Sequence, residues 1–176
     1  MIYGWTYLKE TRIRGEFLFS IIKPYLREDD RVLDVCCGYS PLANPLLEAE
    51  FRITGFDIHP SPIQYLKDKF HRGEWYQVSC EEASFTGFSV FLLLGATVSW
   101  DISFYNFLSR ALESNEPRLI LLDTSIIPPN AVWIKIYDKV ITYLQNKEYK
   151  VVSAGKYESG MKDANKRSYS LLERQK

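Results

Sequence analysis

Short continuous apolar runs alternate along this chain with longer segments in which apolar residues recur every three or four positions. The short runs predict β-strands. The predicted strands are residues 32–35, 51–57, 75–80, 88–94, 118–123, 149–157 and 168–173. The run at 88–94 is almost uninterrupted by polar residues, as is usual for central strands of a parallel sheet. We therefore expect that strand to be deeply buried.

The segments with helical spacing lie mostly between these strands. The predicted helices are residues 12–26, 41–49, 61–71, 101–114 and a segment that begins after Asn130. In the first of them, Ile13, Phe17 and Ile21, with the nearby Leu18 and Ile22, recur at helical spacing, and the pattern ends near Pro24.

Two of the helices have start signals of a familiar type. Ser40 followed by Pro41 predicts an N-cap with proline in the first helical position, although Asn44-Pro45 could equally restart the helix. The segment Ser61-Pro-Ile-Gln64 has the spacing of a capping box, again with proline in the first position. These signals place two helix N-termini directly after two predicted strands.

Strands that alternate with helices predict right-handed βαβ units, and therefore an α/β fold with a doubly wound sheet covered on both faces. The last two strands have no helix between them, so the final strand is expected to run antiparallel to its predecessor. The whole chain, residues 1–176, is interpreted as one domain. Within it, residues 1–29 are expected to form a helical, aromatic cap, and residues 30–176 the core.

Charge and cysteine content restrict the function classes. The 22 basic residues equal the 22 acidic ones, so no overall field draws the chain to nucleic acid or to an anionic membrane. Three cysteines, two of them adjacent, fit neither a disulfide framework nor zinc spacing, which predicts a cytoplasmic location and no metal site. The first residues do not resemble a secretory signal, and no apolar stretch approaches the roughly 18 residues of a membrane span.

Two predicted strands end in a carboxylate, and a glycine-containing turn follows the first. Asp34 ends one strand and is followed by Val-Cys-Cys-Gly38-Tyr-Ser40, whereas Asp57 ends the next strand. The carboxyl ends of parallel strands meet at one edge of the sheet, so these two carboxylates are expected to lie close together. This arrangement predicts a pocket for a nucleoside cofactor at that edge.

The segment from Asp34 to Ser40 resembles the D/E-x-G-x-G-x-G motif of the class I S-adenosylmethionine-dependent methyltransferases. The resemblance covers roughly residues 12–173, including the antiparallel strand pair at the end of a seven-stranded, mostly parallel sheet. Gly38 keeps the middle glycine, which permits a positive φ and close approach of a ligand, whereas Cys36 and Ser40 replace the outer two. The resemblance implies S-adenosylmethionine as the cofactor and methyl transfer as the activity.

The resemblance also implies a role for each cofactor-binding position. Asp34 would lie near the methionine amino group, and Asp57 would accept hydrogen bonds from the two ribose hydroxyls. Ile58 would lie against the adenine, and either Cys80 or Glu81, with Glu81 preferred, would contact the adenine amino group. The implied cofactor-binding residues are Asp34, Cys36, Gly38, Tyr39, Asp57, Ile58, Cys80, Glu81, Leu94 and Gly95.

The acceptor is less defined, and no catalytic residue is assigned. Leu94-Gly-Ala-Thr97 replaces the D/N-P-P-Y sequence of related adenine and glutamine methyltransferases, and all cysteines precede the place of a cytosine C5 nucleophile. The candidates for the acceptor site are His59, Trp100, Asp101, Tyr105 and Asp123. Balanced charge and the lack of a substrate domain favour a small-molecule acceptor, with no membrane partner and an undefined oligomeric state.

Three alternatives remain at this point. An RNA methyltransferase is suggested by a faint similarity of residues 38–43 to G-x-N-P-L, and a basic segment at 156–167 is interpreted as a solvated hairpin loop. A binding or scaffold protein without turnover is suggested by the two missing glycines. A nicotinamide-dependent oxidoreductase is disfavoured because the G-x-G-x-x-G positions read Cys36, Gly38 and Pro41, and because Asp34 would repel a pyrophosphate.

Overall fold

The computed structural model describes residues 3–95, 102–125, 131–159 and 166–175, with side chains left out at 3–10, 102–103 and 131–135. The described helices are α1 Tyr3–Ile22, α2 Ala43–Glu48, α3 Pro60–Lys69, α4 Ile102–Asn115 and α5 Ala131–Gln145. The described strands are β1 Arg31–Val35, β2 Arg52–Asp57, β3 Glu74–Gln77, β4 Val90–Leu94, β5 Leu119–Ser125, β6 Tyr149–Glu158 and β7 Lys166–Arg174. None of the described helices is long and apolar enough to cross a membrane.

The seven strands form a single sheet in the order β3-β2-β1-β4-β5-β7-β6. Strands β1 to β5 run parallel to one another, and β7 runs antiparallel to both β5 and β6. The predicted α/β fold with an antiparallel terminal pair is confirmed. The order reverses between β1 and β4, and in open α/β sheets such a switch point is the usual place for a ligand crevice.

Helices cover both faces of the sheet, which gives two apolar layers. On one face, Phe104, Phe107 and Leu108 of α4 and Val140 and Leu144 of α5 pack over the sheet. On the other face the buried helix residues are Leu18, Ile22, Leu46, Ile63 and Leu66, from α1, α2 and α3. The central strand β4 is buried at every position, as its continuous apolar run predicts.

The helix α1 is longer than predicted, and only part of its predicted apolar set is buried. It begins at Tyr3 and not near residue 12, and a short 3-10 turn that contains Pro24 follows it. Of the apolar residues at helical spacing, Leu18 and Ile22 are fully buried, whereas Ile13 is 36% exposed. The buried face therefore follows the spacing Arg14, Leu18 and Ile22, which places a cation among core residues.

Both predicted helix starts are wrong by a few residues. Leu42 is the N-cap of α2, and Ser40 instead adopts a positive φ and directs its hydroxyl to Asp34. Helix α3 begins at Pro60 with His59 as its N-cap, so Pro60 takes the first-turn place predicted for the proline at 62. In both cases proline tolerates several positions near a helix start, and the contacts of the preceding turn decide which one is used.

Candidate functional site

The turn that follows β1 has an unusual backbone. Cys36, Gly38 and Ser40 all have positive φ values, of 52°, 50° and 44°. These are the three positions that correspond to the glycines of the motif. Left-handed backbone costs about 1–2 kcal/mol at a residue with a side chain, so the packing around the turn must hold Cys36 and Ser40 in place. The chain thus forms the backbone shape of a glycine-rich turn with only one glycine.

Backbone hydrogen bonds hold this turn against the neighbouring strand. The Cys37 N–H donates to the Phe56 carbonyl at 2.8 Å, and the Ser40 N–H donates to the Cys37 carbonyl at 2.7 Å. At Gly38, a β-carbon would meet no heavy atom within 4 Å. Open space therefore lies beside Gly38, where the turn has no side chain.

Asp57 links the turns that follow β1 and β2. One carboxylate oxygen accepts the Gly38 N–H, and the other accepts the His59 N–H, each at 2.9 Å. A carboxylate oxygen has two lone pairs, so both oxygens keep capacity for a further donor. Asp57 is therefore a structural anchor of the two turns, and its remaining acceptor capacity suits a diol.

Asp34 is the most perturbed acidic group of the site. Its side chain is fully buried, the Ser40 hydroxyl donates to one carboxylate oxygen at 2.6 Å, and the other oxygen has no hydrogen-bond partner among the described residues. Burial raises the pKa of Asp34 to about 7, an effect that the Ser40 hydrogen bond and the attraction of Arg14 reduce and that Asp57 increases. An unpartnered buried carboxylate oxygen is costly unless a ligand supplies a donor.

These features fit a cofactor that carries an ammonium group and a ribose. The turn offers a buried acceptor at Asp34 and open space at Gly38. Ile58 directly follows β2 and is 60% exposed, whereas Leu94 at the end of β4 is buried. The exposed apolar surface of Ile58 is suitable for contact with an aromatic base.

The predicted residues after β3 also approach the turn. Strand β3 ends at Gln77, earlier than predicted, so Cys80 and Glu81 belong to the following segment. The Arg110 side chain in α4 donates to the Cys80 and Glu81 carbonyls at 3.1 and 3.3 Å, and the Cys80 sulfur lies 3.4 Å from that of Cys36. The Glu81 side chain is exposed.

Tyr39 points toward a different part of the molecule. Its ring packs edge-on against Tyr65 of α3, with ring centroids 5.3 Å apart. A groove of about 500 Å³ opens there between α1, α2 and α3. Its lining includes Arg12, Tyr39, Ser40, Asn44, Tyr65 and Lys69. This groove was not predicted, and it borders the β1 turn through Tyr39 and Ser40.

The acceptor candidates do not form one cluster among the described residues. Trp100 and Asp101 lie outside the described residues. His59 is exposed at the start of α3. Tyr105 of α4 packs perpendicular to Tyr143 of α5, with centroids 6.3 Å apart, and burial raises its pKa.

The prediction of Asp123 as an acceptor-site residue is wrong, because its side chain is not accessible near the end of β5. Its carboxylate is fully buried, pairs with Arg14 and Arg167, and accepts the Tyr157 hydroxyl. Burial alone would raise the pKa of Asp123, but attraction by Arg14 and Arg167 holds it below the usual value. Asp123 is thus an ionised member of a buried network and has no proton-accepting role at a substrate surface.

Sequence reasoning missed both arginines of this network. Arg167 lies in the segment interpreted as a solvated loop, yet it is buried and its Nε lies 2.8 Å from an Asp123 oxygen. Arg14 lies on the buried face of α1, and the four-residue spacing to Leu18 is the signal that identifies it. Gly15 allows this placement, because a β-carbon there would lie 1.9 Å from the Pro41 carbonyl oxygen.

The network lies beside the end of β4. Gly95 has a φ of 71°, and its N–H donates to the Asp123 carbonyl at 2.9 Å. A β-carbon at Gly95 would be 3.2 Å from the Arg14 guanidinium. Helix α1 is therefore joined to β5 by an ion pair, and its Arg14 side chain also lies beside the residue that follows β4.

Comparison by sequence finds no protein-family model and no curated protein that matches this chain. Comparison of structures does find similar folds. The methyltransferase domain of bacterial CtHen1-C has a TM-score of 0.72 and 16% identity, with 95% of this chain and 100% of that chain covered. The glycopeptide N-methyltransferase MtfA, crystallised with S-adenosylmethionine, has a TM-score of 0.68 and 12% identity, with 92% and 88% covered.

A third solved structure is a tRNA (uracil-54, C5)-methyltransferase from Pyrococcus abyssi in complex with S-adenosyl-L-homocysteine. It has a TM-score of 0.69 and 14% identity over 90% of this chain, which spans 38% of that protein. All three are methyltransferases, and two of them are described as acting on different acceptors, a glycopeptide and a tRNA. The resemblance stated from the sequence is therefore confirmed for the fold, and this chain has the fold of class I S-adenosylmethionine-dependent methyltransferases.

Proposed function

We propose that this protein binds S-adenosylmethionine at the carboxyl ends of β1, β2 and β4 and transfers its methyl group to a small molecule. The observation that carries the proposal is the buried Asp34 carboxylate, one oxygen of which has no partner in the described part of the chain, beside a turn that is left-handed at all three motif positions. When bound, S-adenosylmethionine would supply an electrophilic sulfonium methyl group. The residues of the chain would bind and orient that cofactor and exclude water.

Each of the main site residues has a proposed role. Asp34 accepts a hydrogen bond from the ammonium group of the methionine part, and Asp57 accepts the ribose hydroxyls while it keeps the two turns together. Ile58 and Leu94 contact the adenine from two sides. Cys80 or Glu81 receives the adenine amino group, and Gly38 leaves room for the methionine part.

The same residues argue against a nicotinamide dinucleotide. Asp34 would face a pyrophosphate with like charge, whereas an ammonium group neutralises it. The turn also reads Cys36, Gly38 and Pro41 where the dinucleotide fingerprint requires glycine.

The left-handed values at Cys36 and Ser40 reduce the case for a scaffold without turnover. That alternative depends on the two missing glycines, yet the turn adopts the backbone that those glycines would permit. The basic segment at 156–167 also offers less charge to RNA than its sequence suggests, because Arg167 is buried and paired with Asp123. The first point favours cofactor binding, and the second favours a small acceptor. Label transfer from S-adenosylmethionine to metabolite fractions, compared with total RNA, tests the acceptor class directly.

Cofactor identity is tested by thermal unfolding with S-adenosylhomocysteine and, separately, with NAD. A ligand at about 100 times its Kd stabilises the folded state by about 2.7 kcal/mol. For a domain of this size the midpoint is expected to rise by roughly 5 to 10 °C. We expect this rise with S-adenosylhomocysteine only. A rise with NAD only would overturn the proposal.

Asp57→Ala is expected to remove most of the stabilisation by S-adenosylhomocysteine while the unliganded protein stays folded. The substitution deletes the proposed ribose acceptor and two hydrogen bonds to turn N–H groups, each worth about 1 kcal/mol. Circular dichroism and the unfolding midpoint, with and without ligand, measure both effects. Asp68→Ala, on the exposed face of α3, is the matched control and should keep the full rise. Equal rises in parent and Asp57→Ala would refute the ribose assignment.

The affinity for S-adenosylhomocysteine is expected to depend on pH through Asp34. Binding of an ammonium group requires the ionised carboxylate, and the pKa of Asp34 in the unliganded protein is raised by burial to about 7. The affinity should therefore be nearly constant just above pH 7 and fall below it, by roughly tenfold per pH unit. Titration calorimetry between pH 5.5 and about pH 7.5, below the α-amino pKa, measures this.

A control variant tests whether the pH dependence comes from Asp34 or from a neighbouring side chain. His59 also lies near the site, where its N–H donates to Asp57. His59→Gln should keep the affinity and its pH dependence, whereas Asp34→Asn should bind weakly at every pH, with no fall in its residual affinity below pH 7. A flat profile in the parent protein would contradict the proposed role of Asp34.

A further inference from the structure

Two of the three cysteines meet at the carboxyl edge of the sheet. The sulfur atoms of Cys36 and Cys80 lie 3.4 Å apart, although 44 residues separate them in sequence. Both residues are half-buried. A disulfide bond has a sulfur separation of about 2.05 Å, so small side-chain movements would close the remaining distance.

Both residues are held in place by contacts of their neighbours. Cys36 belongs to the left-handed turn, which the Cys37 N–H fastens to Phe56. Cys80 is held through its carbonyl group by Arg110 of α4. The two thiols therefore face each other from two separately anchored segments, and their contact does not depend on one mobile loop.

The third cysteine points elsewhere. Cys37 is 4% exposed and packs in the apolar layer under α1, α2 and α3, whereas Cys36 and Cys80 pack against the opposite layer. Burial also raises the pKa of the Cys37 thiol. Cys37 is therefore a natural internal control for any chemistry at the other two.

A bond between Cys36 and Cys80 would cross a particular part of the sheet. Cys36 follows β1 and Cys80 follows β3, and β2 lies between these strands. The bond would thus span the carboxyl end of β2, where Asp57 and Ile58 offer the proposed ribose and adenine contacts. A disulfide bond there would reduce the space for the adenosine part of the cofactor. It would also hold the segments after β1 and β3 at a fixed distance from each other.

We propose that Cys36 and Cys80 form a reversible intramolecular disulfide that weakens cofactor binding, a consequence that rests on the function proposed above. The oxidant is a small disulfide of the glutathione class. One protein thiolate attacks it, forming a mixed disulfide and releasing one glutathione thiol. The second protein sulfur then displaces the other glutathione. The two protein thiols lose two electrons, and their two protons end on two glutathione molecules.

Oxidation of the two thiols should be slow, and its equilibrium constant should depend on whether the cofactor is bound. The contact with Cys80, together with burial, raises the pKa of the Cys36 thiol, which keeps the thiolate fraction small. Measurements should therefore be made at equilibrium. If the disulfide lowers cofactor affinity by some factor, saturating cofactor must lower the equilibrium constant for oxidation by the same factor.

The test has a covalent readout and a binding readout. The dilute, folded parent protein is equilibrated with a series of glutathione ratios, and intact mass and peptide mapping identify the bond. Parent and Cys37→Ala should both lose two hydrogen atoms and form the Cys36–Cys80 link. Cys36→Ser and Cys80→Ser should not form it. S-adenosylhomocysteine should bind oxidised parent on the order of tenfold more weakly than reduced parent, within the usual range of coupling between sites.

Two further results are expected if the inference is correct. A reductant should restore the affinity of oxidised parent, and Cys36→Ser should bind equally before and after the oxidant. A Cys36–Cys37 bond, no intramolecular bond, or equal affinities of the reduced and oxidised parent would each overturn it. If reduced parent binds no S-adenosylhomocysteine, the proposed function fails and the switch with it, while mass still reports whether the bond forms.

Discussion

Asp34→Asn is expected to raise the free energy of unfolding of the unliganded protein by about 1–3 kcal/mol at pH 7.5, and to abolish most cofactor binding. The pKa of Asp34 is raised by burial from its ordinary value of 3.8 to about 7. Between these values the unfolded chain releases a proton that the folded chain keeps, so this group reduces stability as pH rises from about 4 to 7. An uncharged amide avoids that loss.

The magnitude follows from the size of the pKa shift. A shift of about three units at 1.36 kcal/mol per unit sets an upper limit near 4 kcal/mol. The amide can still accept the Ser40 hydroxyl, but its NH₂ replaces the unpartnered oxygen and would itself need a partner, which costs about 1–3 kcal/mol. The gain should therefore be partial at pH 7.5 and absent near pH 4.

Urea unfolding at pH 7.5 and near pH 4 measures the gain in the free energy of unfolding. Calorimetry with S-adenosylhomocysteine measures the loss of binding. Glu48→Gln removes a carboxylate from the exposed face of the neighbouring helix α2 and should change neither. Opposite changes in stability and affinity are the signature of a group retained for a ligand. A variant that is less stable at pH 7.5 and still binds normally would show that Asp34 has a purely structural role.

Asp123→Asn is expected to lower the free energy of unfolding by about 3–5 kcal/mol, the usual cost of removing one partner from a buried ion pair. The substitution leaves Arg14 and Arg167 buried without their carboxylate, and it weakens the bond from the Tyr157 hydroxyl. Because α1 is joined to the sheet through this carboxylate, the helix should lose protection first. Hydrogen exchange along α1 and the urea midpoint measure these effects.

The control for Asp123 is the same kind of change in an exposed pair. Glu116 pairs with Arg174 at 2.8 Å, with the glutamate side chain 65% exposed. Glu116→Gln should cost no more than about 1 kcal/mol. Since the pKa of Asp123 lies below 3.8, its contribution should persist above that pH and disappear as pH falls through the folded-state pKa. Similar losses for the two variants would contradict the buried network.

Local sequence patterns predict the order of helices and strands and the burial of β4, but they do not predict the conformation of the turns. Apolar runs and helical spacing report burial of one segment at a time, so β4 and the order of elements could be predicted. Helix starts depend on what the preceding turn contacts. The sequence predicts Ser40 as a helix N-cap, but Ser40 adopts a positive φ and its hydroxyl donates to Asp34.

The sequence alone determined the α/β class, the antiparallel final strand, and the two carboxylates at Asp34 and Asp57. These follow from periodicity and from the rule that parallel strands bring their carboxyl ends together. Only the tertiary structure decided the partners of charged and sulfur-containing side chains. Arg14 pairs with Asp123 across 109 residues, and Cys36 meets Cys80 across 44. Such contacts depend on how distant elements pack, which no local pattern records.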